Sequence, residues 1–343
     1  MKDSFLTGNF QVANATVPLV STELHSADFW GAVMVRWGFN RDNYRVSPGL
    51  YAVGNPDQSS DVFVTANYKL SFDTLRKSLS GINGWILVLD TNGINVWCAA
   101  GKGTFGTNEL IRKIRQASLE KVIHHKRIIL PQLGATGVAA HKIKEETGFN
   151  VQYGPVRASD IKKFIKNGYR ADKEMRRVTF RFMDRIKLIS NDLLYGKFYL
   201  LGAIAIILAI SGVAKDGFAF RNLFDKGSEA IINLFFAYIS GIVITPMFLP
   251  YIPGRSFAMK GFLCGSLTFI ILLLSGMTGS NLFENLSWFL IITAVSSFMA
   301  MNFTGSSTFT SLSGVKKEMR FSMPVQIGFA VAGVILQVIG KIL

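Results

Sequence analysis

The sequence predicts two joined architectures: an α/β domain with helices on the faces of a sheet, then an all-α domain of five membrane-crossing helices. Three observations predict this. Between residues 50 and 170, short β-rich runs alternate with helical patterns and Gly/Pro punctuation. Apolar residues make up 49% of the 343 and mean hydropathy is +0.31, high for a soluble chain, and the excess collects after about residue 193. Lys and Arg cluster in alternate connections between the apolar runs.

Residues 1–45 carry no motif. Strands are predicted at 61–65 (DVFVT), 85–90 (WILVLD), 94–99 (INVWCA), 127–130 (RIIL) and 150–153. Helices are predicted at 72–79, 107–117, 136–146 and 159–165, with Thr107 or Asn108 as an N-cap. Asn92-Gly93 separates two apolar runs and favours a type I′ turn, which needs positive φ at both central positions, so 85–91 and 94–99 are expected to pair as a hairpin.

Apolar spans follow at 199–213 (extended upstream by 193–195), 230–251, 261–277, 286–301 and 324–343. Each is near the ~20 residues a helix needs to cross ~30 Å of hydrocarbon. The short linker at 279–281 leaves a re-entrant pair open for the third and fourth. Residues 157–187, the loop with Arg255 and Lys260, and the loop 314–320 are basic, whereas the loops 215–229 and 279–285 are balanced or acidic. That alternation places the amino-terminal domain in the cytoplasm and the carboxyl terminus outside, and no amino-terminal apolar region suggests a cleaved signal. The formal net charge of +15 lies largely in the juxtamembrane run, where topology and anionic lipid account for it, so nucleic acid is not expected as a partner.

Within NVWCAAGKGTFG (95–106), the stretch from Gly101 to Gly106 fits a G-x-G-x-x-G dinucleotide fingerprint. Its context fails: the upstream strand is expected to have an antiparallel partner, and the position about twenty residues on is Lys126 rather than a carboxylate. A P-loop is excluded because Lys102 directly follows the first glycine. The glycines are better suited to a close backbone approach.

The chain's two cysteines are Cys98 and Cys264. They cannot ligate an iron–sulfur cluster, and no C-x-x-C is present for zinc. Cys264 reads as a small residue within a span. Cys98 lies where a strand is expected to run out at the carboxyl edge of the sheet, the edge at which open α/β folds bind ligands. The following helix and Lys102 add positive potential, and Trp97 beside Ala99-Ala100 offers a surface for a planar ligand. His124 and His125 read as a solvated loop and His141 as a helix surface residue, and no D-x-H-x-x-G pattern is present.

NVWCAAGK (95–102) resembles the cap-helix signature of the mercury-methylation corrinoid proteins, the HgcA family. The similarity extends through 48–56 (PGLYAVGNP), 64–73 (VTANYKLSFD), 88–107, the LGATGVAAHKIKEETGF segment and 153–161 (YGPVRASDI). It echoes, more faintly, the corrinoid domain of the corrinoid iron–sulfur protein large subunit, whose cluster cysteines are absent here.

The resemblance implies a Rossmann-like corrinoid-binding domain (1–170), a basic juxtamembrane segment (171–195) and a transmembrane domain (196–343). It implies a multi-pass protein of the inner (cytoplasmic) membrane. It also implies that Cys98 is the lower axial cobalt ligand of a cobalamin-type corrinoid, with Thr65 near its sulfur, and that Asn95, Trp97, Ala99, Ala100, Gly101 and Lys102 complete the signature. Gly134, Thr136 and Gly137 match a segment beside the corrinoid's edge or tail. The implied activity is transfer of a methyl group from the Cys-ligated methyl-Co(III) corrinoid to Hg(II), giving methylmercury. The implied partners are a small ferredoxin-like protein with two iron–sulfur clusters (HgcB-type), a methyl-tetrahydrofolate-linked donor and membrane lipid. Two alternatives stay open: a corrinoid methyl carrier for another acceptor, and a membrane transporter or sensor with a nucleotide-binding domain. The spans hold few charges, so no ion pathway is evident. The membrane half either anchors the protein near a metal importer or shapes an interface with the partner through the polar segment 305–320.

Overall fold

The computed structural model describes residues 4–12, 15–214, 217–303 and 312–342. The chain divides into two compact units, Met1–Thr179 and Phe180–Leu343.

The first unit is built on a seven-stranded mixed sheet. Its strands are β1 (Leu6–Val12), β2 (Ala15–Val20), β3 (Gly49–Val53), β4 (Val62–Ala66), β5 (Gly84–Leu89), β6 (Arg127–Leu130) and β7 (Asn150–Tyr153), in the order β1-β2-β3-β5-β4-β6-β7. Side chains alternate across it as the period of two requires. Val62, Val64, Trp85, Leu87 and Leu89 join one buried cluster, and Phe63, Ile86 and Val88 join the other. Both faces are covered, which is why WILVL reads as an unbroken apolar run.

The helices of this unit are α1 (Ser26–Arg36), α2 (Lys69–Ser78), α3 (Val96–Lys102), α4 (Thr107–Gln116), α5 (Leu119–Val122), α6 (Ala140–Thr147) and α7 (Ile161–Lys166). Strands β5, β4, β6 and β7 are mutually parallel. The chain goes from β4 to β5 through α2 on one face, then returns past β4 to β6 through α3 to α5 on the other face. Right-handed crossovers force that change of face, and the reversal leaves a crevice at the carboxyl ends of β4 and β6.

Three sequence expectations are corrected here. Residues 94–99 form no strand and no hairpin. Asn92 and Gly93 do adopt positive φ (57° and 74°), but the turn feeds α3, because Val96, Ala99 and Ala100 bury themselves at helical spacing. The helix expected from residue 136 begins at Ala140; Gly134 closes a short 3₁₀ helix (Gln132–Gly134) and residues 135–137 form a turn. Gly106, not Thr107 or Asn108, is the N-cap of α4, and the Thr107 hydroxyl accepts the Ala139 N–H at 2.9 Å instead.

The amino-terminal stretch, which showed no motif, supplies two strands of the sheet. β1 and β2 pair antiparallel, and β2 joins β3 in parallel. A buried charge network fastens this segment to α2: Asp28 meets Lys69 at 2.5 Å and Arg76 at 2.7 Å, and Asp73 meets the same two cations at 2.7 and 2.8 Å. Arg76 also donates to the carbonyls of Ser21 and Glu23, each at 2.7 Å. Burial alone would raise the Asp28 carboxyl, but hydrogen bonds from Lys69, the His25 N–H and Arg76 outweigh it and hold it below the usual carboxylate value. Burial would lower Lys69, and its bonds to Asp28 and Asp73 raise it above the usual amine value.

The second unit contains α8 (Phe182–Ser211), α9 (Phe220–Ile239), which continues through a π turn (Ser240–Ile244) into α10 (Thr245–Met247), α11 (Phe257–Leu274), α12 (Leu282–Asn302) and α13 (Leu312–Ile342). Among the described residues, five helical spans of 18 to 28 residues are long and apolar enough to cross a membrane. Pro246, which has no N–H, follows the π turn and removes one regular helical bond there. α11 and α12 approach closely at Gly261, where an added Cβ would lie 2.5 Å from the Ala300 Cβ. The Ser296 hydroxyl seals the contact by donating to the Gly261 carbonyl at 2.7 Å. The basic segment 314–320 is the first part of α13 rather than a loop, and most of 215–229 belongs to α9. Residues 305–311 of the polar segment considered as a partner interface lie outside the described residues.

Candidate functional site

The crevice at the strand ends is a cleft of about 390 Å³, lined by Phe63 and Thr65 of β4, Leu130 at the end of β6 and Pro131 after it, Gly154 and Pro155 after β7, Leu70 and Thr74 of α2, and Asn95 and Trp97 at the start of α3. The sheet brings Thr65 to its floor, 4% exposed.

Helix α3 forms one rim, and its sequence sets its start and end. Asn95 is the N-cap, extended in backbone, and its side-chain oxygen accepts the Cys98 N–H at 2.9 Å. Gly103 ends the helix in the left-handed conformation, φ 82°. An added Cβ at Gly106 would lie 2.6 Å from the Gly103 carbonyl oxygen. The fingerprint glycines therefore serve a helix end and a tight link to α4. The first of them lies inside a helix, where no phosphate-binding strand-to-helix turn exists.

The approach to α3 is held from beneath. Asn67, 1% exposed, accepts from the Thr91 N–H (3.1 Å), the Thr91 hydroxyl (2.8 Å) and the Gly93 N–H (2.9 Å), and donates to Asp90 at 3.1 Å. Glu109 accepts the Asp90 N–H at 2.8 Å. Sequence reasoning missed Asn67, and no local pattern marks it.

The residues of NVWCAAGK divide by face. Val96, Ala99 and Ala100 turn into the core, whereas Trp97, Cys98, Gly101 and Lys102 are exposed. Cys98 is a free thiol, placed on the helix rather than at a strand end. Gly101 follows it by three positions, on the same face, and an added Cβ there would meet nothing within 4 Å. A glycine inside a helix costs roughly 0.5–1 kcal/mol relative to alanine, and none of the described residues requires one here. Among the described residues, Thr65 and Cys98 share no hydrogen bond, and no group of three or more His, Cys, Asp and Glu side chains could hold a metal.

Gly134 and Gly137 lie behind the helix. A Cβ at Gly134 would meet the Phe105 ring at 2.5 Å, and one at Gly137 would collide with the Phe105 carbonyl and lie 3.0 Å from the Ala100 Cα. Their absent side chains let the turn press against α3, with Thr136 exposed at its tip. His141 is exposed on α6, while His125 contacts the Ser60 carbonyl at 3.0 Å and so ties its loop rather than merely solvating it.

Comparison with known proteins places this region. Residues 39–165 match the family described as CO dehydrogenase/acetyl-CoA synthase delta subunit. The chain is similar to the acetyl-CoA decarbonylase/synthase complex subunit gamma of Archaeoglobus fulgidus, 32% identical over 131 residues, which is 38% of this chain and 27% of that protein. It is similar to the corrinoid/iron-sulfur protein large subunit of Moorella thermoacetica, 30% identical over 124 residues, 36% of this chain and 27% of that protein. The matches span about a quarter of these relatives' length. The family match takes in β3 to β7, the cleft and α3, and stops before the helical unit.

Proposed function

We propose that the first unit holds a cobalamin-type corrinoid with the Cys98 sulfur as the lower ligand of its cobalt, and that the protein transfers a methyl group to Hg(II). The observation that carries this is the outer face of α3. A soft sulfur donor stands there beside a helical glycine that no internal contact requires, next to Trp97 and a cleft at the switch point of the sheet. Such a face accepts a large flat ligand, and the relatives include one named a corrinoid/iron-sulfur protein.

When bound, the corrinoid supplies a cobalt centre able to carry a methyl group, and a thiolate donates more charge to it than imidazole does. The chain's part is to place the donor. Asn95 fixes the backbone of Cys98, Ala99 and Ala100 seat the helix on the core, and Gly134 and Gly137 let the supporting turn close behind it. Thr65, Asn95 and Trp97 line the cleft that takes substituents at the ligand's edge, with Lys102 and Thr136 as exposed polar groups nearby. Hg(II) enters as a thiophilic substrate.

Electrons for turnover come from a partner, because the chain's two cysteines cannot hold a cluster. A ferredoxin-like protein with two iron–sulfur clusters fits that need, and a methyl-tetrahydrofolate-linked donor fits the supply of methyl. The basic connections favour an inner-membrane protein with residues 1–170 in the cytoplasm.

A second reading keeps the corrinoid and the methyl transfer but gives the methyl group another thiophilic or metabolic acceptor. Methylmercury formation by cells carrying Cys98→Ala in the full chain tests the first reading: the proposal expects loss of at least a hundredfold, and undiminished formation overturns it. Wild-type protein that binds corrinoid but forms no methylmercury selects the second reading.

A further inference from the structure

We infer that α1 of the first unit lies on the bilayer surface as an interfacial anchor, with its outer face of aromatic and thioether side chains sunk among the lipid headgroups and upper acyl chains. The inference rests on the reading that the helical unit spans a membrane, and it is independent of the corrinoid site.

An ordinary surface helix turns its polar side to water and its apolar side to the core. α1 is built the other way round. Its inner face carries Asp28, Gly31 and Val35, all buried. Asp28, the one carboxylate of the helix, is held in the charge network with Lys69 and Arg76, and a Cβ added at Gly31 would lie 2.5 Å from the Tyr44 hydroxyl oxygen. The outer face carries Phe29, Trp30, Val33, Met34 and Trp37, which recur at the three- and four-residue spacing of a single helical stripe. Phe29, Trp30, Met34 and Trp37, with Phe39 just beyond the helix, are each 44% to 62% exposed.

The fold holds this face in place. Phe29 and Trp30 meet edge to face at 5.6 Å between centroids. Gly38 ends the helix in the left-handed conformation, φ 74°, and the Phe39 N–H donates back to the Met34 carbonyl at 3.0 Å. That bond belongs to the helix-ending motif in which the residue after the glycine packs beside the last turn, so Phe39 extends the stripe. A contiguous apolar patch on a globular unit marks a binding surface.

The residue types on this face and the short tether point to lipid. Trp and Phe with neighbouring Arg settle at the headgroup level of a bilayer. Arg36 stands in the last turn of α1, and Arg41 and Arg45 follow it in the chain. Glu23 and Asp42, exposed on either side of the helix in sequence, offset part of that charge, so the aromatic side chains carry most of the contact. The first unit ends at Thr179 and the first apolar span begins at Asp192. Fully extended, the stretch between them reaches about 45 Å at most. A tether that short keeps the bilayer at high effective concentration, an advantage that a soluble partner or a second copy of the chain lacks.

The test uses the full chain in nanodiscs of phosphatidylcholine and phosphatidylglycerol. Cys98→Ser and Cys264→Ser remove the native thiols, and a nitroxide is attached through Met34→Cys or, in a separate sample, through Leu267→Cys on the exposed side of α11. Collisions with oxygen, which partitions into lipid, set against collisions with a water-soluble nickel chelate, give the depth of each label. The Met34 label is expected about 5–10 Å below the headgroup phosphates, and the Leu267 label deep in hydrocarbon. Adding Trp30→Glu and Trp37→Glu should return the Met34 label to water while leaving helicity unchanged, because both side chains point away from the core. A Met34 label open to the nickel chelate while the Leu267 label is deep overturns the proposal alone. A Leu267 label open to water overturns the membrane reading and the proposal with it. A Met34 label shielded from both reagents means that a protein surface covers α1, and a Met34 label unmoved by the two glutamates means that the tryptophans anchor nothing; either result also overturns the proposal.

Discussion

The side-chain oxygen of Asn95 accepts the backbone N–H of Cys98 at 2.9 Å. One residue thus caps α3 and fixes the backbone of the only cysteine in the first unit. Asn95→Ala should cost about 1 kcal/mol of helix stability. Amide exchange at residues 98–102 should quicken, while the thermal midpoint of the whole unit moves little. Unchanged exchange there would mean that packing of Ala99 and Ala100 alone holds the helix.

Gly101 separates stability from ligand binding. Gly101→Ala should stabilise the unit by roughly 0.5–1 kcal/mol, because the new methyl meets nothing in the chain. Gly101→Leu should fold equally well yet weaken corrinoid retention by tenfold or more, read by equilibrium dialysis of the full chain. Retention unaffected by leucine would show that nothing packs on that face.

Asn67 holds the turn leading into α3 through four hydrogen bonds. Asn67→Ala leaves buried donors at Thr91 and Gly93 unpaired, and should destabilise the unit by about 3 kcal/mol in denaturant titration. Asn67→Asp retains the acceptor oxygen but sets a buried carboxylate against that of Asp90, where the amide donated at 3.1 Å, and should not recover the loss.

The network joining Asp28 to Lys69 makes stability pH-dependent at both ends. Asp28 is depressed in the folded state, so its contribution is present above the unfolded carboxylate value and is lost as pH falls through the lower folded one. Lys69 is raised, so its contribution is present below the unfolded amine value and is lost as pH climbs through the higher folded one. Stability should therefore be level near neutrality, falling below about pH 4 and above about pH 10.5. Arg76→Met, which removes a cation from the buried carboxylates, should cost about 3–5 kcal/mol near neutral pH and flatten the acid limb, because Asp28 is then held down less in the folded state. Denaturant titrations across pH measure both.

The parallel strands β4, β5 and β6 were legible because Val, Ile and Leu runs buried on both faces leave little choice of conformation. The run INVWCA has the same β-rich composition, yet it is mostly helical. The Asn-Gly turn constrains only its own two residues, and burial at Val96, Ala99 and Ala100 decides the conformation of the chain beyond it. That spacing, with Asn95 before it and Gly103 after it, was the signal to weigh against composition. The resemblance to a cap helix pointed the same way. The amino-terminal strands and the charge network were not legible, since Asp28 and Arg76 lie 48 positions apart and no local pattern couples them. The cysteine and its neighbours were readable as a set, but their division between core and surface was not. Only the folded helix shows that Gly101, rather than the alanines, leaves the outer face low.

The most direct measurement is cobalt X-ray absorption on the corrinoid-loaded full chain, wild type against Cys98→Ser. The account predicts a sulfur scatterer in the first shell of cobalt in the wild type and its loss in the variant. A first shell containing only nitrogen, oxygen and carbon in both proteins would contradict it.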